Sequence, residues 1–239
     1  MRYLVFSFVC VLGCAGAPDT PTADPSSDAM NTDAATASDL GALGSDAVTT
    51  VLENARVHVH RVALAAGASL PAHDGGERIV YALTDLPALT FEAGGTSEAR
   101  SFLAGEVRYH EAGVHAVANE SDAPAEFVVF ERRSGTVAAA DFPPEPAGAE
   151  GVTDEVLFDS DFATVRLVTL EPGASSPSQR NHARAFYVLA GDTVTFTVPD
   201  GSQMERFQAG QAHYREPGDF RTEIAGDAGA EFLVVAFKR

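Results

Sequence analysis

The sequence predicts an all-β protein: two tandem copies of one small β-barrel, following a disordered N-terminal tether. Three observations carry that expectation. The first is an internal repeat. Gly67-Ala-Ser-Leu-Pro71 returns as Gly173-Ala-Ser-Ser-Pro177, 106 residues on, and Tyr81 returns as Tyr187 at the same spacing. The second is periodicity, since Arg56–Val62 and Phe162–Val168 alternate polar and apolar residues as half-buried strands do. The third is turn chemistry. Pairs such as Ala66-Gly67 and Pro172-Gly173 close the short runs, and no long stretch has a helical period. Short antiparallel strands at this density build a sandwich or a barrel.

In chain order, residues 1–13 read as a signal peptide. Met1-Arg2 is a short basic start, and the apolar run Tyr3–Leu12 is too short for a bilayer span, which takes about 20 residues. Val11-Leu12-Gly13-Cys14 resembles a bacterial lipobox, so Cys14 is expected to carry lipid and to make the membrane a partner. Ala15 follows where many inner-membrane lipoproteins have Asp. The expected place is therefore the outer membrane, on its periplasmic or surface face, rather than the inner membrane. Past Cys14 the chain has no cysteine, which excludes disulfides and thiolate chemistry. Residues 14–50, rich in Ala, Asp, Thr and Ser, bury too little to offset ordering entropy and read as a tether. A net charge of −18 excludes nucleic acid as a partner.

Residues 51–133 form the first unit, 134–155 a connector holding Pro143, Pro144 and Pro146, and 156–239 the second unit. Ile79–Leu83 and Ala185–Leu189 are matching strands. Later matches fall 105 residues apart, as Gly105 with Gly210 and Ala125 with Ala230. A one-residue length change in the hairpin between Thr84 and Ser101 accounts for the slip.

The turn glycines Gly67, Gly105 and Gly113, with His73 after the first and His115 and Asn119 after the last, resemble the two motifs of the cupins. With Gly173, Gly191, Gly210 and Gly218 repeating the framework, the chain resembles a bicupin, which implies two jelly-roll barrels. The resemblance also implies a centre of three imidazoles and one carboxylate, suited to Mn, Fe, Ni, Cu or Zn. Only His73 and His115 match it; Gly75 stands at the second His position and Arg78 at the Glu position. Glu77 comes one residue early, which turns it to the other face of a strand. In the second unit Gln179, Asn181, Arg184 and Phe220 replace the ligands. The expectation is no cofactor, the alternative being one divalent metal in the first unit at His73 and His115, helped by Glu77 or His110.

Other residues carry weaker signals. His58 and His60 lie two apart on one strand face and read as a polar edge, and His182 and His213 lack evident partners. Arg78 with Glu111 and Arg184 with Glu216 are expected to form ion pairs that crosslink each barrel. The rival reading makes these arginines a clamp for a small anionic ligand. Tyr81 and Tyr187 are expected to pack inside the sheets. No nucleophile elbow, P-loop or dinucleotide fingerprint is present, so no catalytic residue is assigned. The expected function is a cell-envelope lipoprotein whose bicupin domain has a largely degenerate metal site, a non-enzymatic ligand-binding or structural module. The alternative is a metal-dependent cupin enzyme, a dioxygenase, isomerase or lyase on a small acid or sugar, using the first unit. A dimer is left open.

Overall fold

A computed structural model describes residues 39–133, 149–181, 183–191, 194–197, 204–216, 218–224 and 228–238. Cys14, His182 and the connector residues 134–148 lie outside the described residues, as do the side chains of Gln179, Asn181 and Phe220.

The first barrel holds nine strands: β1 (Val48–Glu53), β2 (Val57–Leu64), β3 (Ser69–Gly75), β4 (Arg78–Ala82), β5 (Leu86–Ala93), β6 (Thr96–Phe102), β7 (Val107–His110), β8 (Gly113–Asn119) and β9 (Ala125–Arg132). They form a five-stranded sheet in the order β1-β2-β9-β4-β7 and a four-stranded sheet in the order β3-β8-β5-β6. The second barrel follows with β10 (Val152–Asp159), β11 (Ala163–Leu170), β12 (Ser175–Asn181), β13 (Arg184–Ala190), β14 (Val194–Thr197), β15 (Met204–Phe207), β16 (Ala212–Arg215), β17 (Gly218–Ile224) and β18 (Ala230–Phe237). Its sheets run β10-β11-β18-β13-β16 and β12-β17-β14-β15. Adding nine to each strand of the first barrel gives the second, so the sequence repeat is a repeat of topology.

The turns sit where the glycines put them. Gly67 and Gly173 adopt φ +69° and +74°, Gly105 and Gly210 +87° and +84°, a left-handed region that costs glycine little.

Alternation along each strand divides the side chains between two environments. On β2, Val57 and Val59 point outward, while His58, His60, Val62 and Leu64 point into the first barrel, where Val62 and Leu64 join its core. The outward faces of the two five-stranded sheets meet, so Ile79, Tyr81, Val128 and Phe130 pack with Phe162, Tyr187, Leu233 and Phe237 in one core shared by both barrels. Tyr81 and Tyr187 pack in the sheets as expected. Each barrel also has its own interior, Leu70, Leu86, Leu89 and Phe127 in the first, Leu170, Phe186 and Phe232 in the second.

Two boundaries move. Ordered elements precede residue 51: Asp39 caps a short 3-10 helix, Leu40–Leu43, by accepting from Gly41 N at 3.0 Å. Leu40 is buried in the first barrel, an apolar anchor within the residues assigned to the tether. The second unit begins at Val152, because β10 takes in the last residues assigned to the connector.

Candidate functional site

Register builds a polar row across the interior face of the first barrel. Glu53 pairs with His58, His58 with Glu131, Glu131 with Arg78, and Arg78 with His110, one residue from each of the five strands. Neighbouring strands lie about 4.8 Å apart, so consecutive members of this row are in reach of one another. Glu131 and Arg78 are buried, and His60 lies beside the row, also buried. The facing sheet contributes His73 and His115, paired across β3 and β8 with ring centroids 4.1 Å apart.

At one end of the row Asp39, His58 and His60 come together, with a ligating atom of each within 4.8 Å of the others. The 3-10 helix delivers Asp39. A Cβ at Gly41 would lie 3.0 Å from His60 Cε1, so this glycine lets the helix close against the imidazole. His60 Nδ1 bonds Thr50 Oγ1 at 3.1 Å, and its Nε2 is buried with no partner. Burial lowers the His60 pKa, against Glu131, which raises it. Arg133 Nη1 donates to Asp39 at 3.0 Å and to Glu131 at 2.6 Å, fixing both carboxylates. Two imidazoles and one carboxylate are a donor set that suits first-row divalent metals. A hydrogen bond from His60 Nδ1 to Thr50 and one from Arg133 to Asp39 orient these ligands as an outer shell does.

At the other end lies the position where a cupin would hold its metal. His73 Nδ1 is 2.8 Å from Pro71 O and His115 Nδ1 is 3.3 Å from Gly113 O. Carbonyls only accept, so each Nδ1 carries the proton and each Nε2 presents a lone pair. Arg78 stands beside them. A Cβ on Gly75 would meet Arg78 Nη1 at 2.5 Å and His115 Cε1 at 2.9 Å, which explains the glycine at the second His position. Burial, then Arg78 and His73, pushes the His115 pKa down to about 3. Burial, then Arg78, Arg100 and Arg108, pushes His110 down to about 4. Burial lowers Arg78 itself to about 10 while Glu131 holds it up, so it stays protonated at neutral pH. A guanidinium in the place of the carboxylate ligand repels a cation, and this end does not fit a divalent metal.

The sequence candidates therefore separate. Arg78, His110 and His115 line one cavity, and His73 packs beside His115. Glu77 does not join them: its carboxylate accepts from Tyr109 OH at 2.9 Å and faces Arg132, on the outer side of the sheet, as its place in the strand dictates. The crosslink between Arg78 and Glu111 is not formed. Arg78 Nη1 donates to the carbonyl oxygens of Gly76 (3.0 Å) and Glu111 (3.3 Å), while the Glu111 side chain is exposed. Glu216, expected to pair with Arg184, instead accepts from Arg56 Nε at 3.2 Å, which ties the two barrels. The pair His58 and His60, read as a polar edge, points inward. Asp39 and Glu131 escaped notice, although Phe127, Val129 and Glu131 alternate along β9 and so share the interior face.

No family model and no curated relative matches this sequence. The fold is similar to solved structures of oxalate decarboxylase. One concerns the Mn(II) centres of the Bacillus subtilis enzyme; it has TM-score 0.59 and 19% identity, over 80% of this chain and 72% of that one. A deletion variant of the same enzyme gives TM-score 0.60 at 18% identity, with the same coverage. A third, on the substrate binding mode and reaction specificity of oxalate decarboxylase, gives 0.59 at 18%. Likeness at this identity establishes the fold, two cupin-like jelly-roll barrels. It also corrects one expectation. No cofactor was expected, yet the fold is shared with an Mn(II) protein, and Asp39, His58 and His60 form a cluster of metal-ligating type.

Proposed function

We propose that the chain is a metal-dependent bicupin enzyme working from its first barrel, with one divalent cation held by Asp39, His58 and His60. The observation that carries this reading is the cluster of two imidazoles and one carboxylate, one of whose members, His60, keeps a buried and unpartnered Nε2. A buried polar atom without a partner costs about 1–3 kcal/mol, and a ligand there removes that cost. The Mn(II) centres of oxalate decarboxylase support the reading as those of a protein with the same fold. When bound, a divalent cation supplies a Lewis acid that polarises a substrate oxygen. The chain's own residues do the rest. Thr50 and Arg133 orient His60 and Asp39, and Glu131 Oε2, buried and unpartnered in mid-row, is placed to accept a proton. The substrate class carried by the fold reading is a small acid or sugar.

Metal analysis of full-length protein purified without chelator tests this. The expected result is about one equivalent of first-row metal per chain, lost in His60→Ala and kept in His73→Ala with His115→Ala. No uptake even after incubation with Mn, Fe or Zn would sink the proposal, and so would loss only in the double variant.

We propose also that Cys14 anchors the protein to the cell envelope, on the support of the signal-like residues 1–13 and the lipobox. Labelling with radioactive palmitate should mark the wild-type chain and not Cys14→Ala. Equal labelling of both would remove the anchor.

A further inference from the structure

Arg78 is 5% exposed and sits on a central strand of the sheet, between Glu131 and His110. Among the described residues it makes no ion pair, and its hydrogen bonds go from Nη1 to two backbone carbonyls. A buried guanidinium held by carbonyls alone keeps much of its desolvation cost. Glu131 offsets that cost only in part, because its Oε1 is taken by Arg133. The guanidinium lines an open cavity of about 450 Å³, together with His110, His115, Phe91 and Gly113. This is a volume that accepts a small molecule.

The polar groups around that cavity differ in what they want. Arg78 has N–H groups left to give. His110 Nε2 is buried without a partner. His115, and His73 packed beside it, have spent their protons on Gly113 O and Pro71 O and present only lone pairs. Two carboxylates share the cavity wall, Glu98, engaged by Arg100 at 2.6 Å, and Glu111, whose side chain is exposed; Arg78 is the buried cation that the cavity offers to a ligand. We infer that the mouth of the first barrel binds a small carboxylic monoanion that also carries an O–H donor, a 2-hydroxy acid. The carboxylate pairs with the Arg78 guanidinium, which matches it bidentately, and the O–H is given to an imidazole Nε2. A phosphate dianion brings a second charge and no match for the acceptor nitrogens.

This goes beyond the metal reading and stands apart from it, since Arg78, His110 and His115 lie at the other end of the row from Asp39, His58 and His60 and binding at Arg78 needs no metal. The test is calorimetric titration of full-length protein with glycolate, acetate and inorganic phosphate, on wild type, Arg78→Lys, Arg78→Met and His60→Ala. The expected result is glycolate bound at least tenfold more tightly than acetate or phosphate. Arg78→Lys should weaken it about tenfold, since lysine keeps the charge and loses the fork. Arg78→Met should abolish it, and His60→Ala should leave it within about threefold. Should the methionine variant fail to fold, the lysine variant alone decides. Equal affinity for phosphate, an unchanged glycolate affinity in Arg78→Lys, or no binding by wild type overturns the inference and leaves the metal reading standing. Loss of glycolate binding in His60→Ala places the acid on the metal and overturns the Arg78 site. A chain that binds glycolate but takes up no metal keeps this site and loses the enzyme reading.

Discussion

The two barrels share strand order and turn glycines, and differ in the row of residues that faces each interior. In the first, Glu53, His58, Glu131, Arg78 and His110 cross the five-stranded sheet. The matching register positions in the second are Asp159, Thr164, Ala236, Arg184 and Arg215. At the position of His60 stands Arg166, whose Nε donates to Asp154 at 2.7 Å with both side chains largely buried. Where His58 faces Glu53 at 3.8 Å, Thr164 donates to Asp159 at 2.6 Å. At these two positions the second barrel answers its polar groups from within the chain, whereas His60 of the first keeps a buried Nε2 unanswered. A fold can keep its shape with either arrangement, but only the unanswered one has use for a ligand.

The comparison can be broken in several ways. The largest effect is expected in the core that the barrels share. Phe130→Ala should cost about 3–5 kcal/mol and lower the melting of both barrels together. Two separated transitions in a calorimetric scan would show instead that the barrels are independent. Next comes the second barrel's own pair. Arg166→Ala, which leaves Asp154 buried, should cost about 3 kcal/mol in a urea titration and leave metal content unchanged. Loss of metal in this variant would contradict the division of labour between the barrels.

A smaller effect follows from the imidazoles. His110 and His115 have folded pKa values of about 4 and about 3, depressed by burial from an unfolded value near 6.5. A group depressed in this way stabilises the fold above its unfolded pKa. That contribution is lost as pH falls from about 6.5, because the unfolded chain takes up protons that the folded chain refuses. Stability should fall by about 2 kcal/mol between pH 6.5 and pH 5, and the double variant His110→Gln with His115→Gln should flatten that slope. A slope unchanged by the substitutions would place the acid sensitivity elsewhere. The smallest effect is expected at Glu77, half-exposed on the outer side, where Glu77→Ala should cost about 1 kcal/mol or less and leave metal content alone.

The fold was legible because it rests on signals that a linear sequence carries: period-two alternation in β2 and β11, and glycines at positions of positive φ. The site was legible in part. His73, Arg78, His110 and His115 do gather, since cupin-like spacing fixes their strands. Asp39 was hidden because it belongs to a tract whose composition reads as disordered, while Leu40, buried in the first barrel, and Leu43, packed beside that core, hold the residues next to it. His58 and His60 were visible as a pair, but whether their face is an edge or an interior depends on which sheet covers β2. The ion pairs expected of Arg78 and Glu111 failed for a geometric reason, since the guanidinium reaches the backbone carbonyl before it reaches the carboxylate.

The central claim is that the metal has moved from the usual place in this fold to the other end of the row. Anomalous diffraction from crystals of the protein loaded with Mn tests it most directly. The account predicts one peak in contact with Asp39, His58 and His60, and none between His73 and His115. A peak on His73 and His115, with the first cluster empty, would contradict it.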